Sequence, residues 1–266
     1  MDVSQIEEIR QRLSESPMKD SITAWFSSEN KGCDIHIYNS ITRVLNSNDL
    51  IAVIEDDIAL SAKAITELLT QAEKIAKIDA LSPIVTMSGV SRKSPLFINR
   101  WRKSDYFSAW GFALNSKFWL LHAECVKIQN SNEIERKLLA SPTWQKLSKR
   151  KKDIWMERIT RPNYDYGIQR TIFFEKLNTI APIFRISDNV GHGVEGAAHT
   201  RFKTPRFLRV PVRGKNDHFH TNNVKSRMLT AILKWADSQT WAGDGLLSVR
   251  GRTRGVRTTL KELFNK

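Results

Sequence analysis

The sequence has little cysteine, no long apolar run and no repeat, and each absence excludes something. Its two cysteines, Cys33 and Cys125, stand far apart with no C-x-x-C pair and no histidine at ligand spacing, so neither a zinc site nor a disulfide framework is indicated. Both read as ordinary buried thiols. No apolar segment approaches the roughly 20 residues needed to cross a bilayer, and the opening MDVSQIEEIR is too acidic and polar for a signal peptide. A cytoplasmic protein is the expectation. No internal repeat and no long low-complexity tract is present, which sets aside solenoid and linker-like architectures.

What is there is enough for a core: 266 residues with 41% hydrophobic content suit one large domain, or one domain with an appendage. The formal net charge is +14, and it is unevenly placed. From Arg201 to Lys266 there are fifteen Lys and Arg against four acids, so the excess gathers in the last quarter of the chain. Such a tail favours a polyanionic partner, namely nucleic acid, an anionic membrane surface or a phosphorylated substrate, although a solvated basic face would look the same.

Along the chain, apolar spacing predicts a helix over residues 4–13, a short strand at SITAWF (21–26), a helix over 35–45 and a strand at LIAVI (50–54). The β-branched, uninterrupted LIAVI is the signature of a strand covered on both faces. Ser61 is a candidate N-cap for a helix whose stripe is Ile65, Leu68, Leu69, Ala72, Ile75 and Ala76, and PIVTMSG from Pro83 reads as another strand. This alternation points to an α/β domain with a largely parallel sheet. Further on, FSAWGFALNSKFWLL runs from strand or turn into helix, SKRKKDIWMERITR (148–161) is basic and amphipathic, YGIQRTIFFEKLN from Tyr166 is a helix, and TIAPIFRIS is a strand interrupted by Pro182. Beyond His199 the pattern loosens, apart from a helical stretch from Val224.

The strand LIAVI ends in three carboxylates, Glu55, Asp56 and Asp57. Charges leaving water are costly unless paired or metal-bound. In open α/β sheets ligands gather beyond the carboxyl ends of strands, and hard divalent cations such as Mg²⁺ or Mn²⁺ take carboxylate oxygens, completing their shell with water and substrate phosphate. A single acid here would be read as favouring the dipole of the helix from Ser61. Three in succession point to a metal holding a diphosphate.

Hydrophobic strand, E-D-D, then helix resembles the D-x-D-type motif of metal-dependent nucleotide-sugar glycosyltransferases of the GT-A fold. Two further blocks resemble a bacterial group of these enzymes: YFSAWGFALNSKFW from Tyr106, similar to their F-S-S-W-G-W-A-x-W segment, and Asn163–Thr200, similar to their W-D-Y-Q helix and the closing S-N-x-G-x-x-x-x-A-T-H-T. Together the blocks span roughly residues 20–200. The resemblance implies a GT-A-like (Rossmann-like) α/β domain over 1–200, with a mixed, mostly parallel sheet flanked by helices, and a basic C-terminal extension over 201–266. Those enzymes begin with a strand, loop and helix that hold the nucleotide base. Here the chain opens on what reads as the helix before the second strand, so an N-terminally truncated sheet is expected, and an inactive relative with a binding role is one outcome.

The same resemblance assigns roles. Asp57 is the metal ligand for Mn²⁺ or Mg²⁺, with Glu55 and Asp56 reaching metal-bound water or the nucleotide ribose. His199 completes the metal or diphosphate site, and His192 and Gly193 approach the diphosphate, with Gly191 and Gly196 letting the loop come close. Either histidine would equally serve as a hydrogen-bonded loop residue. Asp165 is the general base of an inverting transfer, or else the N-cap of its helix. Trp110 and Gly111 line the sugar and acceptor pocket, where Trp110 also suits a core. The partners implied are a nucleotide-sugar donor and a saccharide or lipid-linked acceptor, in cell-surface polysaccharide or lipopolysaccharide assembly. The basic tail would lie against an anionic membrane at its inner face. Arg250, Arg252, Arg254 and Arg257 would alternatively contact nucleic-acid phosphates, but no helix-turn-helix, finger or RNP-like motif accompanies them, so no specific nucleic acid is expected.

Overall fold

The computed structural model describes residues 3–78, 81–86, 99–161, 163–191, 219–220 and 232–233. Its elements, in order, are α1 (Val3–Glu15), α2 (Cys33–Leu45), β1 (Leu50–Val53), β2 (Ile58–Leu60), α3 (Ala62–Ile78), β3 (Ile84–Val85), β4 (Asn99–Ser104), β5 (Phe112–Asn115), α4 (Ser116–Lys127), α5 (Ser131–Leu139), α6 (Pro142–Gln145), α7 (Lys149–Ile159), α8 (Tyr164–Phe174), β6 (Thr179–Pro182), β7 (Ser187–Asn189) and β8 (Phe219–His220). Six strands form one sheet in the order β1-β5-β3-β6-β4-β8, and β2 and β7 form a separate ribbon.

The α/β class holds, but the sheet is mixed rather than mostly parallel. The pairs β1–β5, β3–β5 and β4–β6 are antiparallel, as is β2–β7, while β3–β6 and β4–β8 are parallel. Strand-helix alternation along the chain says nothing of which strands become neighbours. Here β5 enters between β1 and β3 and runs against both.

Period-two alternation distributes side chains to the two faces of the sheet. In β5, Phe112 and Leu114 join a cluster with Ile41, Leu45, Phe118, Trp119, Ile168 and Ile172, beneath α2, α4 and α8. Ala113 faces the opposite way, onto Leu68, Ala72, Ile75 and Trp101 beside α3. The result is helices on both faces of one sheet. A second cluster of Leu138, Trp144, Trp155, Phe173 and Phe174 ties α5, α6 and α7 to α8. Helix α8 therefore serves two cores, which explains why nearly all of it from Gly167 onward is buried.

Several expectations change. SITAWF forms no strand: Trp25 and Phe26 are exposed, with Arg43 over the Trp25 ring and Arg10 over Phe26. LIAVI is only half-buried along its length, because β1 ends the sheet and pairs on one side alone among the described residues. The three acids do not lead directly into a helix, since β2 intervenes. Cys33 is exposed, and only Cys125 is buried. The α3 stripe is turned slightly, to Ala64, Leu68, Gln71, Ala72 and Ile75, leaving Leu69 exposed, while Ser61 caps that helix through Ala64 N–H (3.1 Å) as expected. From the C-terminal region, β8 pairs with β4, and Leu233 is buried against Ile183 and Phe184. The basic stretch after Leu233 and most of 201–231 lie outside the described residues. Among the described residues no helix is long and apolar enough to cross a membrane.

Candidate functional site

Glu55, Asp56 and Asp57 occupy the turn between β1 and β2, closed by Ile58 N–H donating to the Glu55 carbonyl at 3.1 Å. The turn lets the three carboxylates diverge. Asp56 is exposed, while Glu55 and Asp57 are half-buried and held from different directions.

Asp57 is held by β7 and the residues after it. Asn189 pairs in register with Ile58 and donates from Nδ2 to Asp57 Oδ2 at 2.8 Å; Val190 N–H donates to the Asp57 carbonyl at 2.8 Å. Gly191 lies against the carboxylate so closely that a Cβ there would stand 2.8 Å from Oδ2 and 2.9 Å from the Asp57 Cβ. Glycine is required by that approach. Asp57 Oδ1 is buried and has no hydrogen-bond partner among the described residues, an unusual state for a carboxylate oxygen.

Glu55 is held by α8. The Tyr164 hydroxyl donates to Glu55 Oε1 at 2.5 Å, and the Tyr164 backbone N–H donates to Asp34 Oδ1 at 2.8 Å. The N-terminal N–H groups of a helix need outside acceptors. Asn163, the residue preceding α8, supplies no side-chain cap, so Asp34 from the first turn of α2 does that work. Asp165, one residue into the helix, accepts from Tyr166 N–H at 2.8 Å. It lies within the first turn and is not the N-cap, contrary to one of the two roles open to it in the sequence.

These carboxylates share an electrostatic neighbourhood. Burial pushes the Glu55 carboxyl above its ordinary value, the Tyr164 hydrogen bond opposes this, and Asp57, Asp165 and Asp56 push it up further. Asp165 is likewise raised, by burial first, with its two backbone hydrogen bonds opposing and Asp34 adding to the rise. The Cys33 thiol is raised by partial burial and then by Glu55, Asp34, Asp165 and Asp56, and the Tyr164 hydroxyl is raised by burial and by Glu55. Acids from the end of β1 and the starts of α2 and α8 thus meet, under two helix N-termini that favour negative charge.

Trp110 and Gly111 sit elsewhere. Gly111 takes φ +78, and a Cβ on it would be 2.9 Å from Thr86 Oγ1 and 3.2 Å from Leu60 Cδ1. Thr86 Oγ1 bonds to the carbonyls of Trp110 and Gly111 and meets Ser187 Oγ at 2.8 Å. Because Leu60 pairs with Ser187 and Ile58 with Asn189, this knot is at the opposite end of the β2–β7 ribbon from Asp57, about 10 Å along it. His192, Gly193, Gly196 and His199 lie outside the described residues. Among the described residues no three His, Cys, Asp or Glu side chains stand close enough to hold a metal ion together.

Three participants escaped the sequence reading: Asp34, Tyr164 and Asn189. Asp34 had a visible signal, an acid in the first turn of a helix after Gly32. Tyr164 and Asn189 had none beyond lying beside residues already singled out. The fold and site define the class as an α/β protein with a carboxylate cluster beyond a strand end. No family model and no curated protein matches the chain. The GT-A resemblance therefore rests on its three sequence blocks.

Proposed function

We propose that this protein is a metal-dependent glycosyltransferase that moves a sugar from a nucleoside-diphosphate donor to a saccharide or lipid-linked acceptor, with inversion. The observation that carries the reading is that Glu55, followed by Asp56 and Asp57, is joined through Tyr164 to the start of α8, where Asp165 lies within its electrostatic reach, although more than 100 residues separate them in the chain. Of the three sequence blocks that resemble the transferases, the first contributes the metal-binding acids and the last the general base. Their meeting is what such a reaction requires.

The donor set fits a hard cation. Asp57 Oδ1 is a buried carboxylate oxygen with no partner among the described residues, and Mg²⁺ or Mn²⁺ is commonly bound through one or two carboxylates together with substrate phosphate and water. Asp57 would hold the ion, which when bound neutralises charge developing on the leaving diphosphate. Asn189 fixes the Asp57 carboxylate through its other oxygen, and Gly191 leaves room for it. Tyr164 fixes Glu55, which is thereby oriented for a metal-bound water or the ribose. Asp165 takes the acceptor's hydroxyl proton; its burial raises its basicity above that of an exposed carboxylate, in the direction a general base needs. Work in cell-surface polysaccharide assembly, at the inner face of a membrane touched by the basic tail, extends the same reading.

The test is Mn²⁺-dependent binding and turnover across UDP-, GDP- and dTDP-sugars. Wild type should bind at least one donor, Asp57→Ala should lose Mn²⁺-dependent binding, and Asp165→Asn should keep binding while kcat falls by about 10²–10⁴. A folded wild type that binds no donor overturns the proposal.

A further inference from the structure

We propose that the cavity walled by α2, α4, α7 and α8 binds a small organic anion, a carboxylate carried on a flat apolar body. The inference does not rest on glycosyl transfer: the observations behind it lie between the helices, in a cavity that adjoins the carboxylate cluster through Asp34 and Tyr164.

The cavity holds about 340 Å³, within the range of small-molecule sites. Its walls include Ile35 and Tyr38 from α2, Val126 from α4 and Ile159 from α7. Into this apolar setting the fold places Arg170 of α8, only 6% exposed. Its guanidinium donates from Nη2 to the Cys125 carbonyl at 3.1 Å, and its Nε–H has no hydrogen-bond partner among the described residues. No carboxylate among the described residues forms an ion pair with it. Asp34 also lines the cavity, but its Oδ1 accepts from Tyr164 N–H and it makes no ion pair with Arg170. Arg161, at the rim, pairs with Glu157. A buried guanidinium whose company is one neutral carbonyl and the Phe174 ring, 5.8 Å away, still lacks a counter-charge, and that cost is relieved when an anion arrives. A planar carboxylate suits the fork of donors better than a spherical ion.

His122 supplies the second polar group. It is 1% exposed, and burial, with Arg170 adding, lowers its pKa to about 4, so the ring is neutral at physiological pH. Its Nδ1 lies 2.9 Å from Thr171 Oγ1, which donates its own proton to the Gly167 carbonyl at 3.2 Å. With Nδ1 engaged by Thr171, Nε2 is the ring nitrogen left for a ligand. Gly167 keeps this region open: a Cβ there would stand 3.3 Å from His122 Cε1. The cavity thus offers a cation for a carboxylate, an imidazole nitrogen to pair with a hydroxyl, and an aromatic wall in Tyr38, whose ring centroid is 6.2 Å from that of His122.

The experiment titrates the full chain by calorimetry with three probes: 4-hydroxyphenylacetate, its uncharged amide, and inorganic phosphate. Wild type should bind the carboxylate about tenfold or more tightly than either of the others. Arg170→Met should erase that preference while melting no lower than wild type, because it removes a buried charge that lacks an ionic partner; a purely structural Arg170 would instead show a loss of stability. Ile35→Trp, at a position 58% exposed on the lip, leaves the core intact and should weaken carboxylate and amide alike. Wild type failing to bind the carboxylate, phosphate binding as tightly as the carboxylate, or an Ile35→Trp protein with undiminished affinity would each overturn the proposal.

Discussion

Strands β1 and β5 lie side by side, paired over four residues, yet their C-terminal ends follow opposite rules. At the end of β5 the polar group is fully employed: Asn115 caps α4, its Oδ1 accepting from Phe118 N–H at 2.9 Å, and Phe112, Ala113 and Leu114 are buried. At the end of β1 the strand is half-exposed, and of the carboxylates that follow, Glu55 is raised by burial and by its neighbours and Asp57 keeps one buried oxygen without a partner among the described residues. The first end is built to be stable in isolation. The second accepts electrostatic cost in a way that a bound cation would relieve.

Three substitutions sharpen the contrast. Phe112→Ala, in the fully buried centre of β5, should cost about 3–5 kcal/mol in urea unfolding, through lost burial and a residual cavity. Asn115→Ala should cost about 1 kcal/mol, the worth of a lost N-cap, and circular dichroism should show the loss as a lower melting temperature. Glu55→Gln should have the smallest effect and the opposite sign. A carboxyl raised in the folded state contributes stability that is fully present below its ordinary value and is lost as pH rises through the raised value. Removing the charge should therefore raise the melting temperature at about pH 8, leave it unchanged at about pH 4, and amount to under about 1 kcal/mol, because Glu55 is partly open to solvent and screening. Glu55→Gln melting below wild type at alkaline pH would break the comparison, showing the β1 end to be as structural as that of β5.

Helices were the most legible elements. The spacing of Ile37, Ile41, Val44 and Leu45 marked α2, and Ser61 marked the start of α3, because both signals are complete within a few residues. Strands were harder. SITAWF has the composition of a strand but no partner among the described strands, while β4, with NRWRKS, has a polar, basic composition and pairs with β6 regardless. Strand formation depends on the neighbour more than on the segment. The sheet's direction failed for the same reason, since β5 reached its place between β1 and β3 by tertiary packing.

What the sequence by itself determined is the inventory and its local placement: an apolar strand delivering three acids to a turn, an acid in the first turn of α8, and glycines at 111 and 191. The tertiary structure alone decided which of these meet. Asp34 reaches Tyr164 across 130 positions, Tyr164 reaches Glu55 across 109, and Asn189 reaches Asp57 across 132. No local pattern encodes contacts at such separations; they exist because α2, α8 and the β2–β7 ribbon are packed around one sheet, and burying that apolar surface is what brings the acids together.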